Sequence, residues 1–179
     1  MTKTNTKKTA SADMTAYEAA YKYLSSRMRT VQEVRTYLAG KEFSESEIKE
    51  TIDELIEGRY LDDYQYALSF FEYNREKRRG TLRAMKALAE KGIDAETARN
   101  ARDDFLYSEG IDEFSDALEI AKREIELKRP ARLTGEEDPD DEDAYVPDEK
   151  TIASVARKLE SRGFSRDIIY RVMGELREY

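Results

Sequence analysis

The chain has 179 residues, 39% hydrophobic and 39% charged, with no Cys, no His and no Trp, and a formal net charge of −8. Without Cys there are no disulfides or thiolate metal sites, and without His the commonest general base and zinc ligand are missing, so most hydrolytic and redox chemistry is out of reach. A mean hydropathy of −0.84 confines the apolar residues to narrow faces, which favours thin helical layers over one thick core, and no stretch approaches the about 20 apolar residues of a membrane span.

Residues 1–14 are polar, with Lys3, Lys7 and Lys8, and no apolar run follows them as a signal peptide would require. They read as a disordered tail on a cytoplasmic protein. Beyond them the chain repeats itself: Leu38, Phe43, Leu55, Leu61, Asp62 and Ala67 recur fifty residues later as Leu88, Ile93, Phe105, Ile111, Asp112 and Ala117. Leu88 and Ile93 recur again as Leu159 and Phe164, after an additional stretch that must be inserted in the third copy.

The first repeat, 15–60, predicts three amphipathic helices. Their stripes are Tyr17, Ala20, Tyr21 and Leu24, then Val31, Val34 and Leu38, then Ile48, Ile52 and Leu55. Each helix opens on capping-box spacing, in Thr15 with Glu18, Thr30 with Glu33 and Ser44 with Glu47. The second repeat, 61–110, carries Tyr64, Ala67, Leu68 and Phe71, then Ala84, Met85 and Leu88, then Ala98, Ala101 and Phe105. Arg102 stands in its third helix where the first repeat has Ile52, which predicts looser packing. The third repeat, 111–179, carries Phe114, Ala117, Leu118 and Ala121, then Ile152, Val155 and Leu159, then Ile169, Val172, Met173 and Leu176. Gly92 and Gly163 fall between second and third helices, where glycine supplies a left-handed helix end, whereas the first repeat has Glu42 in that place. No segment alternates with period two, so no sheet is expected. The predicted fold is all-α: three tandem three-helix repeats forming an elongated, curved array, because units this small need their neighbours to bury enough surface.

The insertion in the third repeat, at about 130–150, contains all three prolines of the chain. It also holds nine carboxylates and no cation from Glu136 to Glu149, so the rest of the chain is close to neutral. This composition predicts a solvated acidic loop. Asp138, Asp140, Glu142 and Glu149 approximate the spacing of a calcium loop, but Asp143 stands where that loop needs Gly, and prolines interrupt it. No metal, cofactor or catalytic site is expected.

The strong basic run lies between Arg75 and Lys91, where seven cations meet two anions. Arg75, Lys77, Arg78, Arg79, Arg83 and Lys86 are its candidate contacts for a phosphate backbone or a protein partner. The competing reading is a solvated helix end, since cations complement the dipole there. A DNA-reading role for the helix after Ser44 is disfavoured, because Glu45, Glu47, Glu50, Asp53, Glu54 and Glu57 accompany a single Lys49 and would repel phosphates. The corresponding helix of the third repeat, with Arg166, Arg171 and Arg177, is less hostile. The twelve tyrosines are better explained by helix stripes than by base stacking.

Taken in order, the motifs Arg59-Tyr60-Leu61-Asp62-Asp63, Tyr66-Ala67, Glu90-Lys91-Gly92-Ile93-Asp94, Arg162-Gly163-Phe164-Ser165 and Ile168-Ile169 resemble the RecX family from about Ala16 to the C-terminus. The resemblance implies a cytoplasmic, non-enzymatic modulator of RecA recombinase that lies in the groove of the RecA filament on DNA and mainly inhibits it; a monomer with weak direct DNA contact and no membrane association is expected beside it. Arg78, Arg79 and Gly80 match the family's basic-then-glycine signature before the middle helix, while the acidic insertion departs from the family's compact third repeat. The alternatives are a helical-repeat adaptor for another protein and a direct DNA-binding protein unrelated to RecA.

Overall fold

The computed structural model describes residues 14–128 and 147–177. The N-terminal tail and nearly all of the acidic insertion, with its calcium-like spacing, lie outside the described residues. Within them the protein is all-α: α1 (Ala16–Leu24), α2 (Val31–Ala39), α3 (Glu45–Glu57), α4 (Asp63–Glu76), α5 (Thr81–Glu90), α6 (Ala95–Ser108), α7 (Glu113–Glu126), α8 (Glu149–Arg162) and α9 (Arg166–Glu175). No helix among them is long and apolar enough to cross a membrane. After the insertion, Asp148 caps α8 by accepting the N–H of Thr151 at 2.8 Å, and the helix begins at Glu149.

Local chemistry sets the helix starts. Thr15, Thr30 and Ser44 each form the reciprocal capping box that their spacing predicts. Asp94, Asp112 and Ser165 cap α6, α7 and α9 through one-way side-chain acceptors. The helix ends repeat as well. The carbonyl of Leu38 accepts from Phe43 N–H, that of Leu88 from Ile93 and that of Leu159 from Phe164, the closing bond of a Schellman-type end. The residue that reverses the chain has φ 82° at Gly92 and 85° at Gly163, as expected of glycine, and 67° at Glu42, where a side chain must tolerate the left-handed region.

The chain divides into two compact units, with the boundary between Tyr66 and Ala67 inside α4. In the first, α1, α2 and α3 pack on one another around Val34, Leu38, Ile48, Ile52, Leu55 and Leu61. On α1 the predicted stripe departs at one residue: Ala20 is buried and Tyr17 and Leu24 pack against the core, with Ala16 and Ala19 buried beside them, whereas Tyr21 is 49% exposed. Tyr21 lies at the flank, parallel to Tyr17 and edge-on to Tyr60.

In the second unit, α5 packs on α6, and Phe71 of α4 stacks on Phe105 of α6 with centroids 5.8 Å apart. Ala98, Ala101 and Phe105 are as deeply buried as the apolar face of α3. Arg102 stays at the edge of that face and pairs with Asp103 at 2.7 Å. Helices α7, α8 and α9 pack mutually around Ala117, Ala121, Val155, Leu159, Phe164 and Val172.

A second device ties the helices together. Val31 N–H, at the first turn of α2, donates to Asp63 Oδ1 at the start of α4 over 2.9 Å. Fifty residues later, Thr81 N–H at the first turn of α5 donates to Glu113 Oε1 at the start of α7 over 2.8 Å, and the Thr81 hydroxyl donates to Glu113 Oε2 over 2.9 Å. Helix N-termini leave backbone N–H groups without partners. Here a carboxylate from a later helix supplies the acceptor.

Candidate partner interface

The basic run spans the last turn of α4, a tight turn over residues 77–80, and the first turns of α5. Its shape depends on two glycines. A Cβ on Gly80 would lie 2.3 Å from the carbonyl oxygen of Gly163, and a Cβ on Gly163 would lie 2.4 Å from Cβ of Arg83. The α4–α5 turn and the α8–α9 turn therefore cross in direct backbone contact, and Gly80 N–H donates to the carbonyl of Arg162 over 3.0 Å. Arg162 Nη1 donates to the carbonyls of Arg78 at 2.8 Å and Lys77 at 3.3 Å. Its Nε is buried with no hydrogen-bond partner among the described residues, a cost accepted where one guanidinium holds two turns. Arg78 itself has φ 54°. The signature glycine thus serves a close approach, and the turn is held from behind.

The six candidate side chains divide into two groups. Arg75 Nε meets Asp116 Oδ2 at 3.1 Å, and Arg78 Nη1 meets Glu119 Oε1 at 3.1 Å, both acceptors lying on α7. Arg83 Nη1 donates to the carbonyl of Ser161 at 3.0 Å, and the Lys77 ammonium lies over the Tyr73 ring at 5.5 Å. Arg79 is half-buried and Lys86 exposed, and neither has an ion-pair partner among the described residues.

Beside the turn is a cleft of about 470 Å³. Its lining joins Arg75, Arg78 and Arg79 with Glu72, Glu76, Glu109, Asp116 and Glu119, together with apolar Phe105, Ile120 and Phe164. The local positive excess of the sequence is thereby reversed in space. Five carboxylates facing three guanidiniums make a mixed-charge cleft, a poor match to a row of phosphates and a better one to a protein surface. Glu76 belongs to the basic run itself, but Asp116 and Glu119 could not be found from it, because they lie 41 residues from the arginines they meet.

Of the other possible nucleic-acid surfaces, the α9 segment keeps Arg166 and Arg177 exposed, while one cation on each of α3 and α9 is engaged. On α3, Lys49 is bound to Asp53 at 2.8 Å. On α9, Arg171 is stacked on the Phe114 ring at 4.4 Å. Among the described residues, four carboxyls sit below their ordinary values, all at helix starts: Asp94, Asp112 and Asp148 chiefly through hydrogen bonds from Thr97, Ser115 and Thr151, and Glu47 chiefly through that from Ser44. They belong to the fold rather than to the cleft.

Residues 16–55 match the family model described as "RecX, first three-helix domain". "Regulatory protein RecX" of Halalkalibacterium halodurans is 38% identical over 107 residues, covering 59% of this chain and 40% of that protein. The protein of the same name from Bacillus licheniformis is 30% identical over 162 residues, covering 89% of this chain and 54% of that one. The chain thus spans about half the length, or less, of these curated relatives. Among solved structures, the crystal structure of RecX from Lactobacillus salivarius superposes with a TM-score of 0.70 at 27% identity, covering 92% of this chain and 96% of that one.

Proposed function

The chain belongs to the RecX family, and on that premise we propose that it is a cytoplasmic regulatory protein that binds the RecA–DNA filament as a monomer and mainly inhibits recombinase and ATPase activity in DNA repair. The observation that carries this reading is the match in fold to a RecX crystal structure along 96% of that chain. We further propose that the helices act as three tandem three-helix repeats. The recurrence of the Leu38, Leu88 and Leu159 closing bonds, and of the Asp63 and Glu113 acceptors, supports that register.

Among the candidate contacts, Arg79 and Lys86 lead, because no internal ion pair occupies them. The mixed-charge cleft and the acidic α3 favour a filament with a protein surface over bare DNA. The test compares binding to single-stranded DNA, to RecA alone and to the RecA filament. Preference for the filament with inhibited ATP hydrolysis supports the proposal, and equal affinity for bare DNA refutes it. Arg79→Glu with Lys86→Glu should weaken filament binding while the circular dichroism spectrum is unchanged. Unaltered inhibition would mean that the basic turn is a solvated helix end.

A further inference from the structure

Arg75 and Arg78 would be the natural phosphate contacts of this surface, yet both are already occupied. Their partners Asp116 and Glu119 stand three residues apart on α7, hence on one helix face. Each pair has an N–O distance of 3.1 Å. The arginine side chains remain 48% and 45% exposed, and Glu119 is 68% exposed. Surface pairs of this kind add little to folding stability, so the fold has small need of them.

Their effect on binding is larger. The turn that carries Arg78 is fixed from behind by Arg162 and by the Gly80–Gly163 crossing, so Arg78 does not leave Glu119 by moving its backbone. A phosphate approaching either guanidinium must displace the carboxylate or share the remaining N–H donors with it, and in both cases lies next to the carboxylate's negative charge. A surface carrying both signs meets no such penalty, because its cations take up the released carboxylates.

We propose that Asp116 and Glu119 are specificity-determining residues of the basic surface: by occupying Arg75 and Arg78 they exclude bare nucleic acid and favour a partner that presents both charge signs. The inference rests on the reading of this surface as the partner contact. Asp116→Asn with Glu119→Gln keeps side-chain size and releases both guanidiniums.

The experiment measures fluorescence anisotropy of a labelled single-stranded oligonucleotide over a range of salt, with circular dichroism melts to verify folding. The double variant should bind about 2- to 30-fold more tightly than wild type, the range set by losing two surface pairs. The slope of log affinity against log salt should steepen by about 1.4, for two further phosphate contacts on a single strand. Adding Arg75→Gln and Arg78→Gln should abolish the gain, and Glu54→Gln with Glu57→Gln, which remove the same charge from α3, should reproduce little of it. The proposal is overturned by unchanged affinity, by a gain that survives loss of the arginines, or by an equal gain in the α3 variant. With RecA filament as ligand, the double variant should lose preference for filament over bare DNA. A wild-type chain that ignores the filament, while the double variant gains DNA as expected, refutes the filament reading and leaves the exclusion of nucleic acid standing.

Discussion

Glu113 accepts two hydrogen bonds from Thr81, one from its backbone N–H at 2.8 Å and one from its hydroxyl at 2.9 Å, so one carboxylate at the start of α7 completes the first turn of α5. Thr81 is only 9% exposed. Truncating the acceptor leaves two donors short of partners in a place that water reaches poorly, at about 1–3 kcal/mol. Glu113→Ala is therefore expected to lower the urea midpoint by that equivalent, with Glu113→Gln losing less because its carbonyl still accepts. A loss below about 0.5 kcal/mol for the alanine variant would show that the α5–α7 tie contributes nothing.

The glycines make opposite predictions according to what surrounds them. Gly80→Ala forces a methyl to within 2.3 Å of the Gly163 carbonyl oxygen, an obstruction of backbone on backbone that no rotamer relieves. Separating the two turns should cost about 1–3 kcal/mol, as overpacking does, and should also break the Gly80 N–H bond to Arg162. Gly174 lies in α9, and a Cβ added there would meet nothing within 4 Å, so Gly174→Ala should stabilise by about 0.5–1 kcal/mol through helix propensity. Thermal melts of the two variants check both signs together.

Glu42 has φ 67° in the place that Gly92 and Gly163 occupy at the two later helix ends. The left-handed region costs an L-residue about 1–2 kcal/mol, part of which glycine gives back through its freer unfolded chain. Glu42→Gly should raise stability by about 0.5–1 kcal/mol. A loss of stability in equilibrium unfolding would mean that the side chain of Glu42 makes a contact worth more than its backbone strain.

The capping carboxyls set the acid response. Asp94, Asp112, Asp148 and Glu47 are all held below their ordinary values by the hydrogen bonds they accept. A carboxyl depressed in the folded state favours folding above its unfolded value, about 3.9 for Asp and 4.3 for Glu, and that contribution fades as pH falls through the lower folded value. The Tm should be nearly flat from about pH 7 to 5 and fall below about pH 4. Replacing Asp94, Asp112 and Asp148 with Asn, which caps without titrating, should shallow that fall. An identical fall in the triple variant would assign the acid sensitivity to other groups.

Features that depend on neighbours a few residues away could be read from the chain directly. Capping boxes at Thr15, Thr30 and Ser44, left-handed glycines at Gly92 and Gly163, and the apolar spacing of Val34, Leu38, Val155 and Leu159 follow local rules of helix geometry, and they appear where spacing puts them. Even the family was legible, because its motifs are short and ordered along the chain. Which edge of the α1 stripe is buried was settled by packing, which took in Ala16 and Ala19 and left Tyr21 outside. Packing also gave Gly80 its crossing with Gly163, 83 residues away, which no periodicity encodes. The charge of the candidate surface belongs to the same class: Arg75 and Arg78 look free in a basic run, but the folded chain brings Asp116 and Glu119 of α7 to them. Coulomb attraction depends on distance in space, and the fold sets that distance.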